Sequence, residues 1–128
     1  MKTILLGLMA IAISPAYAGG LCDKAVTTID INQCGQSAHQ KADQQLNAAY
    51  QAALKGIESG ISDSEQRKDT KRGLVEAQRL WIQFRDKDCG AVYDLWRDGT
   101  IRGAMYWGCM TSRTEQRTKE LQSFLPPG

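Results

Sequence analysis

Four cysteines, all placed beyond an apolar leader, constrain this chain of 128 residues more than any other feature. Cys22, Cys34, Cys89 and Cys109 are even in number, and in a small exported domain that pattern reads as two disulfide bridges. No two cysteines stand close enough to form half of a zinc site, and His39 is the single histidine, so no metal-ligand set and no cofactor is expected. Cross-links matter at this size because a short chain buries a small core.

The export argument rests on the start of the chain. Lys2 precedes an apolar run from Thr3 to Ile13, Ser14-Pro15 breaks that run, and Ala16-Tyr17-Ala18 supplies the small-x-small pattern of a signal-peptidase site. The run is too short for a lasting membrane helix, which takes roughly 20 residues. Residues 1–18 are therefore expected to be a cleaved secretory signal, leaving a single domain over 19–128 in the periplasm or outside the cell. Cys22 follows Gly19-Gly20-Leu21, which is not a lipid-attachment box, and no later stretch reads as a transmembrane segment. Losing Lys2 moves the net charge from +2 to about +1. A charge so close to zero, with both signs interspersed, excludes nucleic acid as a partner.

The rest reads as helix. Proline is absent between Gly19 and Leu125, and no useful length alternates β-branched with polar residues. Thr27-x-x-Asp30 has the form of a capping box, and after it Ile31, Cys34, Ala38, Ala42, Leu46, Ala49, Ala53 and Ile57 recur at steps of three or four. Ser59-Gly60 closes this first helix. Ser62-x-x-Glu65 resembles a second capping box, opening a helix whose stripe holds Leu74, Gln78, Trp81, Arg85, Cys89, Val92 and Trp96. After the turn Asp98-Gly99-Thr100, a third helix is expected from about Thr100 to Leu121, with Cys109, Met110, Arg113, Arg117 and Leu121 facing inward. The expected fold is all-α: a small antiparallel three-helix bundle or helical hairpin with an extended N-terminal arm, stapled by two disulfides.

If the chain folds back at Gly99, Cys89 and Cys109 lie level across the turn, which leaves Cys22 to pair with Cys34. The rival pairing, Cys34–Cys89 with Cys22–Cys109, stays open, because a turn at Gly60–Ile61 brings Cys34 near the level of Lys87.

Polar side chains sit on these helical stripes. Asp43, Leu46, Asn47 and Tyr50 share one side of the first helix, as Gln78, Trp81 and Arg85 share one side of the second. An arginine on an apolar stripe requires a carboxylate or carbonyl partner, since an unpaired buried charge is costly. Two readings follow: a polar site between helices, or a satisfied network that sets their register.

These residues also carry a family resemblance. Cys22-x11-Cys34 followed by Asp43-x-x-Leu46-Asn47-x-x-Tyr50 resembles the first half of the LprI-type lysozyme-inhibitor domain. Ala77-Gln78-Arg79-x-Trp81-x-x-Phe84-Arg85-Asp86-x-x-Cys89 is similar to that family's most specific stretch. Gly99-Thr100, Cys109 and Thr114-x-x-Arg117-x-x-x-Leu121 resemble its closing segment. The resemblance implies a small, exported, disulfide-bonded helical domain of bacterial origin, with a protein partner such as lysozyme or another cell-wall hydrolase. The family's name-giving type is lipid-anchored, whereas this chain reads as freely secreted.

An inhibitor of lysozyme needs a projecting element that enters a cleft holding two catalytic carboxylates. The segment Trp96-Arg97-Asp98-Gly99-Thr100 is the candidate, presenting Arg97 to a carboxylate, with Trp107 as an exposed aromatic anchor. The competing expectation buries Trp96, leaves Arg97 solvated and packs Trp107 against the N-terminal arm. A charge of about +1 supplies no long-range attraction to a basic enzyme. Catalysis by this chain is not expected: none of the common nucleophile, metalloprotease or phosphate-loop motifs is present, and His39 with Asp43 reads as a helical contact. Arg67, Lys68, Lys71 and Arg72, diluted by Glu65, Asp69 and Glu76, read as a solvated helix start. The alternative to an inhibitor is an envelope structural or stress protein that binds some other partner.

Overall fold

Thr27 opens the first helix by a reciprocal cap: its hydroxyl accepts from the Asp30 N–H at 3.1 Å, and the Asp30 carboxylate accepts from the Thr27 N–H at 3.2 Å. The computed structural model describes residues 22–127; the expected leader over residues 1–18 lies outside them. The three helices are α1 (Thr28–Gly60), α2 (Ser64–Leu95) and α3 (Arg102–Gln122). The all-α expectation holds, in its three-helix form.

The start of α2 corrects the sequence reading by one residue. Its cap is Asp63, whose carboxylate accepts from the Gln66 N–H at 2.7 Å, in place of the Ser62–Glu65 box. A full negative charge at the positive end of the helix is the stronger cap. The basic cluster does more than face solvent: Arg67 donates to the Ile61 carbonyl at 2.8 Å, and Arg67 and Lys71 approach Glu58 at 3.9 and 3.8 Å. These contacts tie the turn between α1 and α2. The third helix begins at Arg102, two residues later than expected, after Ile101, which supplies no side-chain cap.

The buried cluster combines Leu46, Ala49, Ala53 and Ile57 of α1 with Leu74 of α2 and Leu121 of α3, toward the end of the bundle where α1 turns into α2. Helix α3 packs chiefly on α1 and secondarily on α2, while α1 and α2 touch little. Small residues on α1 permit that approach. A Cβ on Gly35 would lie 2.7 Å from the Cβ of Trp107, and one on Gly56 would collide with Leu125. On α3, one on Gly103 would collide with Asn32. The offset between these partners stays nearly constant along the helices, as parallel neighbours require.

Two stripe assignments change. The inward face of α3 is Met110, Thr114, Thr118 and Leu121, whereas Arg113 is exposed and pairs with Asp88 at 2.9 Å. Threonine fits inside because each hydroxyl donates back along the helix, Thr114 to the Met110 carbonyl at 2.7 Å and Thr118 to the Thr114 carbonyl at 3.0 Å. The stripe of α2 leaves the core after Cys89, and Trp96 is 38% exposed.

Both preferred disulfides form: Cys22–Cys34 with Cα atoms 5.0 Å apart, and Cys89–Cys109 at 5.6 Å. The rival pairing is thereby excluded. Asp88, Cys89 and Cys109 stand close enough to resemble a metal cluster, but both sulfurs belong to the bridge. No helix among the described residues is long and apolar enough to cross a membrane.

Candidate functional site

The polar residues of the stripes converge on Arg85. Its guanidinium is buried and donates to Asp43 of α1 at 3.3 Å, to its neighbour Asp86 at 3.1 Å and to the Thr114 hydroxyl of α3 at 3.2 Å. Trp81, one turn earlier, lies under the guanidinium at 5.3 Å. A second crossing forms beside it, where Arg117 donates to the buried Gln78 at 2.9 Å and to Glu120 at 3.0 Å. Seven residues of the family-like motifs thus meet in two adjacent networks: Asp43, Gln78, Trp81, Arg85, Asp86, Thr114 and Arg117. Leu46 belongs to the core, Tyr50 is half-buried against it, and Asn47 is exposed away from both networks. Each donor has an acceptor from another element or its own turn, which is the geometry of a latch.

His39 stands beside this latch, half-buried, with its ring 5.7 Å from that of Trp107 and its Nδ1 buried without a partner. Burial holds its pKa below the ordinary histidine value; Arg85 pushes the same way, and Asp43 and Asp86 oppose it.

The tip candidates separate into two settings. Trp96, Arg97 and Asp98 are exposed, and Arg97 meets Asp94 at 3.5 Å in solvent. Leu95, Ile101 and Met105 are also exposed at this end, at 78%, 46% and 37%. Trp107, for which an exposed anchor and packing against the N-terminal arm were both open, is half-buried on α1, with its Cβ against Gly35 and its ring edge-to-face with Tyr106 at 4.9 Å. The absence of a Cβ at Gly35 admits it. The sequence did not reveal that α1 covers this side of α3.

Beyond Trp107, the structure opens a cleft of about 640 Å³ that the sequence did not signal. Thr28 and Asn32 of α1, Tyr93 of α2, the Gly99-Thr100 turn, and Arg102, Gly103, Tyr106 and Trp107 of α3 line it. Gly103, as the close approach to Asn32, is the one mark of it in the chain.

A family model described as lysozyme inhibitor LprI matches residues 22–121. An uncharacterized protein of Rhizobium meliloti is 31% identical over 108 residues, covering 81% of this chain and 78% of that protein. The uncharacterized protein YecT of Escherichia coli is also 31% identical, over 102 residues, covering 73% of this chain but only 62% of its own length. No solved structure matches.

Proposed function

Because this chain belongs to the lysozyme inhibitor LprI family, we propose that it is an exported binding protein that blocks lysozyme or another cell-wall hydrolase. Export is supported by the leader pattern and by two disulfides, which persist in oxidising compartments. The latch around Arg85 serves as a structural device in this reading, because its donors and acceptors are already engaged with one another.

The observation that carries the contact surface is the exposed group at the α2–α3 turn. Leu95, Trp96, Ile101 and Met105 present apolar area around Arg97, the combination of aromatic, methionine and arginine side chains in which protein interfaces are enriched. Arg97 is free to change partners, since its pair with Asp94 is long and solvated on both sides. In a hydrolase cleft its planar fork would engage a catalytic carboxylate in two parallel hydrogen bonds, while the apolar neighbours exclude water around them. Inhibition is then occlusion, without chemistry by this chain.

Purified mature protein added to lysozyme acting on a cell-wall suspension tests the reading. Dose-dependent slowing is expected, weakened about tenfold by Arg97→Ala or Trp96→Ala, as removal of one interface anchor typically does. No slowing at large molar excess removes the inhibitor assignment and leaves an envelope structural or stress protein with another partner, a reading that the near-neutral charge favours. Trp107→Ala is a poor probe of contact, because it also strips packing from α1.

A further inference from the structure

The cleft between the start of α1 and the α2–α3 turn has a composition that the tip contact does not use. Three aromatic rings form its wall: Tyr93 and Tyr106 meet edge-to-face at 5.9 Å, and Tyr106 and Trp107 at 4.9 Å. Rings set at an angle in this way give an apolar corner, suited to the C–H faces of a saccharide ring. Around the corner stand the hydroxyls of Thr28 and Thr100 and the amide of Asn32, which packs against Gly103.

Charge narrows the ligand class. Among the described residues, Arg102 is the only ionised side chain lining the cleft, and no acid lines it. It lies over the Tyr93 ring at 4.6 Å and makes no ion pair with the described residues. One unpaired guanidinium, with its donors in a fork, matches one carboxylate. Phosphate-rich ligands would call for more cations than this. The volume falls within the roughly 300–1,000 Å³ typical of small-ligand sites.

We propose that this cleft binds a sugar ring carrying a carboxylate, with Arg102 on the carboxylate, the Tyr93–Tyr106–Trp107 corner on the ring face, and Thr28, Thr100 and Asn32 on its hydroxyl and amide groups. An exported protein meets such rings from two sources, the muramic acid of cell wall and the uronic acids of surface polysaccharides. The site uses none of the exposed tip side chains assigned to a hydrolase, so it stands or fails apart from that function.

The experiment is an NMR titration of the mature protein, following its three tryptophan indole N–H signals, with Trp107→Phe assigning the relevant one. N-acetylmuramic acid and glucuronic acid are the two acidic probes, and N-acetylglucosamine is the neutral one. The expected result is a saturable shift of the Trp107 signal with at least one acid, about tenfold tighter than with the neutral sugar. Which acid binds names the source. Arg102→Gln should remove the preference for acid, whereas Lys87→Gln, on the exposed face of α2, should keep it. Both substitutions are at exposed positions, so folding is not the variable. No saturable shift with either acid overturns the proposal. Equal binding of the neutral sugar, or a preference that survives Arg102→Gln, overturns it as well.

Discussion

At Arg85 one guanidinium serves an acid of α1, an acid of its own helix and a hydroxyl of α3, so a single side chain reports on the placement of all three helices. The sequence showed that such an arginine must have a carboxylate or carbonyl partner, and Asp43 was already in view on the polar side of the first helix. It did not show Thr114 as the third partner, because a threonine reads as polar until its hydroxyl is seen to be satisfied by Met110. His39 beside the latch yields a prediction about acid. Its folded pKa is depressed below the ordinary 6.5, chiefly by burial, so the native state binds fewer protons than the unfolded chain. Stability is therefore lost as pH falls through 6.5 and below, where the unfolded chain takes up a proton that the native site resists. Denaturant melts across that range should show a shallower decline for His39→Gln than for the parent. Parallel declines would mean that the acid sensitivity arises elsewhere.

At the scale of elements, two glycines of similar appearance in the sequence behave oppositely. Gly35 in α1 sits under Trp107, where an added Cβ would be held 2.7 Å from another Cβ. Gly73 in α2 has nothing within 4 Å of the same added atom. Gly35→Ala should then destabilise by about 1–3 kcal/mol through overpacking between α1 and α3. Gly73→Ala should stabilise by about 0.5–1 kcal/mol, because alanine is the better helix former and loses less chain entropy. Urea midpoints measure both, and the same sign for the two would contradict the close packing of α3 on α1. The helices themselves were legible from apolar spacing, and the first cap from Thr27 and Asp30. The second cap shifted to Asp63 because local spacing alone does not choose between adjacent acceptors. Trp107 was left between exposure and packing on the N-terminal arm because helical register gives the side of a residue, not the element that covers that side.

For the whole molecule, the bridges differ in what they hold. Cys22–Cys34 closes the N-terminal arm onto the first turns of α1, whereas Cys89–Cys109 joins α2 to α3 with Cys89 fully buried. In the loop-entropy account, removing either costs about 3 kcal/mol, since the loops are of similar length. Replacing the buried pair by alanine should cost more than that, because a cavity is added where α2 and α3 meet. Thermal or denaturant unfolding of the two double variants checks the order: Cys89/Cys109 below Cys22/Cys34. The reverse order would mean that the arm, not the α2–α3 pairing, limits stability.

By itself the sequence determined the helical class and the demand of Arg85 for a carboxylate or carbonyl partner, because these rest on local spacing or on a charge that must be paired; it also carried the family resemblance and a preference, with a rival still open, between cysteine pairings. Only the tertiary structure decided that α3 lies chiefly along α1, that Thr114 and Thr118 face inward, and that Tyr93, Tyr106, Trp107 and Arg102 share a cleft. Those features depend on which helix covers which face. That choice is made by close approach at Gly35 and Gly103 between segments far apart in the chain, and no local pattern records it.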